Sequence, residues 1–234
     1  MGVMNTSRPL HILSSMATRH LLAALASRIE SVSPLRASLE SVGGVDAANR
    51  VRAGEAVDVV VLASDVIDKL TASGHLRPGS RADIVRSGIA VAVRAGAAHP
   101  DIGSGDAVRR AVAAARTVAY STGPSGAHIA GLFARWGLAD ALKERIVVPR
   151  PGVPVATLVA SGEVELGFQQ LSELTTVKGV EVVGMLPDDV QSMTTFAGGV
   201  AQTSAQPDAA RELLRQMRDP SLDAIKREHG MEAA

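Results

Sequence analysis

The sequence predicts an α/β fold of two lobes, each a mostly parallel sheet flanked by helices, joined by two crossover hinges. Three observations predict it. Short β-rich runs alternate with helical runs almost throughout, the pattern of βαβ units. The run VDVVVL at 57–62 is apolar without a break, as a strand buried on both faces requires. Two long extended stretches, 84–93 and 194–203, bracket a middle α/β block. They read as the chain passing from one lobe to the other and back, so the lobes are expected at 1–88 with 195–234, and at 89–194.

The elements follow in order. Residues 10–14 read as a strand, and 17–32 as a helix with Leu21, Leu22, Leu25 and Ile29 on one face. A second strand is expected at 36–42, a helix at 46–54, and then the buried strand at 57–62. Ser64 is placed as the cap of a helix running through Leu70 and ending near Gly74. The middle block reads as helix 105–115, strand 117–121 and helix 124–136, with Pro124 at the helix start. Strand 145–148, helix 155–160, strand 164–168 and strand 180–184 come next, and helices 208–218 and 221–228 close the chain. Phe133 and Trp136 read as core or interlobe packing.

Composition excludes several classes of function. Acidic and basic side chains balance at 24 each, and the basic residues are scattered singly, so the electrostatic footprint of a nucleic-acid binder is missing. Aromatics make up 2%, too few for base-stacking platforms. There is no cysteine, hence no disulfide framework, thiolate metal site or cysteine nucleophile. The six histidines show no HxxxH or HxH spacing, and neither a GK[ST] phosphate loop, a dinucleotide fingerprint nor a GxSxG elbow occurs. No metal and no cofactor are expected. No run reaches the roughly 18 apolar residues of a membrane span, and 1–9 is short and polar, unlike a secretory signal. As written the chain reads as cytoplasmic; a processed, exported form would look the same and would be periplasmic.

Three strand-to-helix junctions carry small hydroxyl residues: Ser14-Ser15-Met16, Ala63-Ser64-Asp65 and Ser121-Thr122-Gly123-Pro124-Ser125-Gly126. In a parallel sheet such junctions lie at the carboxyl ends of strands, where ligands bind. The first helical turn offers unpaired N–H groups at the positive end of the helix dipole, an arrangement that favours an anion. Hydroxyls add donors, and Gly123 and Gly126 admit close backbone approach. A serine before a helix is, by itself, ordinarily only a cap. Gln169 and Gln170, paired amides ending a buried strand, suit either a sheet edge or a ligand carboxylate.

Several segments together resemble the type 2 periplasmic-binding-protein superfamily, in particular its molybdate-binding-like bacterial extracellular solute-binding proteins. They are GEAVDVVVLASDVIDKL (54–70), TGPSGAHIAGLFARWGL (122–138), VASGEVELGFQQLSEL (159–174) and the closing 196–234. The resemblance implies two α/β lobes that close by hinge bending over a small anion in the interlobe cleft. It also implies oxyanion contacts from Ser14 or Ser15, from Ser64, and from backbone N–H groups near Ser125, Gly126 and Val155. The family's closing tyrosine is replaced here by Gln170, which favours an organic carboxylate over molybdate. The FQQ-SEL variant resembles a subgroup that includes aconitate isomerase, an enzyme of the same fold. Two functions are therefore expected in turn: a solute-binding protein for a small carboxylate or oxyanion, with an ABC transporter permease as partner if exported, or a cofactor-independent isomerase of an unsaturated polycarboxylate. For the second, His128 is the leading general base and Asp65 the weaker one.

Overall fold

The computed structural model describes residues 8–150 and 153–234, so most of the polar start at 1–9 lies outside the described residues. The chain runs β1 (Leu10–Ser15), a 3-10 turn (Met16–Thr18), α1 (Arg19–Val32), β2 (Ala37–Val42), α2 (Gly44–Arg52), β3 (Val59–Ala63) and α3 (Ser64–Ala72). The long β4 (Ala82–Arg94) leads to α4 (Gly105–Ala114), β5 (Val118–Tyr120), α5 (Pro124–Arg135) and α6 (Ala139–Leu142). Then come α7 (Val155–Ser161), β6 (Leu166–Gln170), α8 (Leu171–Leu174), β7 (Val180–Met185) and β8 (Met193–Val200). The closing elements are α9 (Pro207–Met217), α10 (Asp223–Glu228) and β9 (Glu232–Ala233).

The chain divides into two compact units, Met1–Arg86 with Thr195–Ala234, and Ser87–Thr194. In the first, β1 lies between β2 and β3, both parallel to it. β8 pairs antiparallel with β3, from Val59↔Val200 to Ala63↔Phe196, and β9 pairs antiparallel with β4. Every residue of β3 is buried, which is why its sequence is apolar throughout rather than alternating. One face is filled by Leu10, Ile12, Leu25, Val61 and, from the end of the chain, Leu213 and Leu214. The other holds Leu13, Val60, Ile67 and Leu76.

In the second unit, β5 runs parallel to β6, and β4 pairs antiparallel with β6 and β7. Phe133 on α5 is buried and meets Phe168 edge-on at a centroid distance of 6.0 Å and Trp136 at 6.2 Å, so these rings belong to this unit's own core.

The structure corrects three details of the sequence reading. The expected strand at 145–148 makes only a bridge, Ile146 to Val118, since Pro149 lacks the N–H that a ladder needs. The extended stretch ending at 203 stops pairing as β8 at Val200. Ser64 does not cap α3: the chain turns one residue earlier, Ala63 occupies the cap position, and no side chain caps the helix.

Candidate functional site

In the first unit, the parallel order β2–β1–β3 brings three strand ends to one edge. Ser15 of β1 lies opposite Val42 of β2, and Ser14 lies opposite Val61 of β3. The junctions after Ser15, Val42 and Ala63 are therefore neighbours. Ser14 and Ser15 differ in state. The Ser14 hydroxyl is 2.8 Å from that of Ser41 on β2. The Ser15 hydroxyl is buried and meets no hydrogen-bond partner among the described residues, although Ser15 precedes the 3-10 turn that Met16 opens. A buried donor left unpaired costs free energy.

The sequence reading missed the turn Gly43-Gly44, which opens α2 beside Ser15. A Cβ on Gly44 would stand 3.9 Å from the Ser15 Cβ, in ordinary van der Waals contact, which places the turn next to Ser15. The available signal was the Gly-Gly pair between a strand and a helix. Ser64 sits in the first turn of α3, partly exposed. Asp65 is exposed and paired with Lys69 at 3.0 Å, an i,i+4 surface ion pair rather than a poised base.

In the second unit, the parallel pair β5–β6 brings the 121–126 junction beside Gln169 and Gln170. Ser125 is buried, with its hydroxyl 2.7 Å from that of Ser121. Gly123 holds the cap position of α5 with no side-chain cap, and Thr122 is exposed. Gly126 is required by contact: a Cβ there would run into the carbonyl of Ser121. His128 lies on α5 with Nε2 2.8 Å from the Val190 carbonyl. A carbonyl only accepts, so Nε2 carries the proton and Nδ1 is the atom left to act as a base.

The two glutamines point to opposite faces, as successive strand residues must. Gln169 is buried, and its Oε1 accepts from the Ala156 N–H at 3.1 Å, one residue past Val155 at the start of α7. Gln170 was expected to meet a ligand. Its amide reaches the ends of this unit's own chain. In the orientation that satisfies both atoms, the nitrogen donates toward the Ser87 carbonyl at 3.0 Å and the Gly88 carbonyl at 3.1 Å, while the oxygen accepts from the Thr194 hydroxyl at 2.9 Å.

A second residue escaped the sequence reading. Glu173 on α8 is partly buried, and desolvation pushes its carboxyl up to about 7, opposed only by a hydrogen bond from Gln169. The available signal was a glutamate with no basic residue within four positions on either side.

These paired strand ends, with small residues, unspent donors and no cluster of three or more acidic or histidine side chains placed to hold a metal among the described residues, suit an organic or inorganic anion. The sequence pattern of the bacterial extracellular solute-binding protein family matches residues 10–232. The chain belongs to that family. This solute-binding protein is 43% identical over 181 residues to an aconitate isomerase from Pseudomonas sp., across 76% of this chain and 67% of that one. Among solved structures, it is similar to the periplasmic molybdate-binding protein of Azotobacter vinelandii, with a TM-score of 0.81 at 20% identity over 96% of this chain and 99% of that one. It is also similar to the tungstate ABC transporter structure from Geobacter sulfurreducens, with a TM-score of 0.76 at 15% identity over 96% of this chain and 100% of that one. At such identities the likeness speaks for the fold of the solute-binding family. No helix among the described residues is long and apolar enough to cross a membrane.

Proposed function

We propose that this protein binds a small carboxylate anion at strand ends that carry hydroxyls and backbone N–H groups as donors. The observation that carries the reading is the Ser15 hydroxyl, buried at the carboxyl end of β1 without a partner. An anion's oxygen supplies the missing acceptor, and hydrogen bonds to a charged group are the stronger kind. Ser64 is a further donor in the first unit, while the second unit offers the Ser125 hydroxyl, the N–H groups of Gly123, Ser125 and Gly126, and the backbone at Val155. In a transport role the partner is an ABC permease, which requires the exported form. Calorimetric titration with trans-aconitate, citrate and molybdate tests the reading. Saturable binding of a polycarboxylate supports it; no heat with any of the three overturns it.

A second reading is favoured by the 43% identical relative, an aconitate isomerase. Here the same anion site holds an unsaturated tricarboxylate while a base removes a carbon-bound proton and returns it at another carbon. The donors stabilise the enolate-like charge that develops, and His128 acts through Nδ1. In deuterated water, interconversion of cis- and trans-aconitate with deuterium entering a C–H position supports catalysis. Tight binding with every carbon-bound proton retained leaves the binding protein alone.

A further inference from the structure

The turn that opens α2 presents an acceptor as well as donors. Gly43 takes the cap position of this nine-residue helix with no side-chain cap, and Ala47 is the first residue whose N–H reaches back to the Gly43 carbonyl, at 2.9 Å. The N–H groups of Gly44, Val45 and Asp46 therefore lie ahead of the first intrahelical bond. Gly44 and Val45 are exposed, so the opening faces solvent. Ser15 stands against Gly44, 8% exposed and with its hydroxyl unpartnered. This helix start thus has a buried, unspent hydroxyl beside its free N–H groups.

Asp46 adds the opposite polarity. Its Oδ2 lies 3.3 Å from where a Cβ on Gly43 would stand, so the carboxylate folds back over the opening. There it accepts from none of the free N–H groups and pairs with no cation among the described residues. A capping carboxylate would hold a backbone N–H, and a surface ion pair would resemble that of Asp65 with Lys69. Asp46 does neither. Arg50, four residues on, is held by Glu40 and Glu55 instead. One helical turn therefore gathers hydroxyl and N–H donors, an unspent acceptor, and the apolar side chain of Val45, 67% exposed.

We infer that Asp46 is a specificity residue that selects hydroxycarboxylates: Ser15 and the N–H groups of Gly44 and Val45 donate to the ligand's carboxylate, and Asp46 accepts from a hydroxyl on the adjoining carbon. This rests on the preceding reading of a carboxylate at Ser15. A carboxylate and an ionised aspartate both offer acceptors only. A ligand without a hydroxyl therefore leaves two like charges facing each other. A hydroxyl supplies the donor that Asp46 lacks, and hydrogen bonds to a charged group are the stronger kind. Val45 gives the carbon skeleton an apolar neighbour.

Two ligand pairs that differ by one hydroxyl test this: citrate against tricarballylate, and malate against succinate. Each is titrated calorimetrically at about pH 8, where every carboxyl is ionised. Wild type should bind the hydroxylated member about tenfold more tightly, the worth of one hydrogen bond to a charged group. In Asp46→Ala that preference should vanish. Citrate and malate should weaken, while tricarballylate and succinate bind as well as before or better, which also shows that the variant is folded. Equal affinities within a pair in wild type, or a preference that survives in Asp46→Ala, overturn the inference and leave the carboxylate reading intact. Loss of all four ligands in Asp46→Ala overturns it too, since Asp46 would then hold the site together rather than choose its ligand. No binding of any of the four to wild type overturns both. Ser15→Ala should weaken all four by the same factor and keep the hydroxyl preference; a loss confined to citrate and malate contradicts the division of roles.

Discussion

A buried hydroxyl without a partner is a cost that folding alone does not recover, and its removal therefore separates function from stability. Ser14 and Ser15 are adjacent, yet one hydroxyl is paired with Ser41 and the other is not. Ser15→Ala should leave the melting temperature unchanged or slightly raised, while anion affinity weakens by about 1–3 kcal/mol, the worth of a hydrogen bond to a charged group. Ser14→Ala should do the reverse, losing about 1 kcal/mol of stability with affinity kept. Calorimetric titration and thermal unfolding of both variants check the pair; equal affinity losses would remove the distinction. Gly126 gives a different residue-scale expectation. The obstacle to a side chain there is the Ser121 carbonyl, part of the backbone, which cannot swing aside as a flexible side chain can. Gly126→Ala should destabilise by about 1–3 kcal/mol in urea unfolding, and it should disturb the Ser121–Ser125 contact in the same step.

Among the elements, α8 is short, yet it carries the group with the largest expected dependence on pH. An unfolded Glu173 titrates near 4.5, and in the folded chain its carboxyl holds its proton up to about 7. The folded state thus binds the proton more tightly. The stability this confers is complete below 4.5 and is lost as pH rises through about 7. Wild type should lose about 1–3 kcal/mol relative to Glu173→Gln between pH 5 and 8. Urea unfolding at both values measures the difference, and a constant gap between the two proteins would contradict it. The lack of a nearby basic residue singles out Glu173, but nothing in the sequence shows that α8 packs against β7 and α7, and its burial follows from that packing. The stronger elements were readable because their periodicity is set by their own burial: β3 is apolar on both faces, and α5 begins at its proline. The strand-end junctions were readable for the same reason, as small residues between a strand and a helix. What could not be read was pairing across strands. Whether Ser14 or Ser15 stays free is decided by Ser41, and the role of Gln170 by Ser87, Gly88 and Thr194.

For the whole molecule, the first unit is assembled from both ends of the chain and the second from its middle. Leu213, Leu214 and Met217 of α9 lie in the same core as Leu10, Ile12 and Leu25. Deleting 207–234 should therefore strip amide-exchange protection from β1 and β3 while the amides of β5 and β6 keep theirs, since that unit's core draws on Ile89 to Val190 alone. Uniform loss of protection across both sets would show the units to be one cooperative body. The pairing of β3 with β8 has a consequence during synthesis. About 130 residues separate these partners, so at ~5–20 residues per second a ribosome needs roughly 6 to 26 seconds to deliver β8. Throughout that interval β3, among the most apolar strands of the chain, presents an unpaired edge open to any other extended segment. The nascent chain is most exposed to aggregation in the time between the two strands, and a chaperone that shields that edge would act before the last helices emerge.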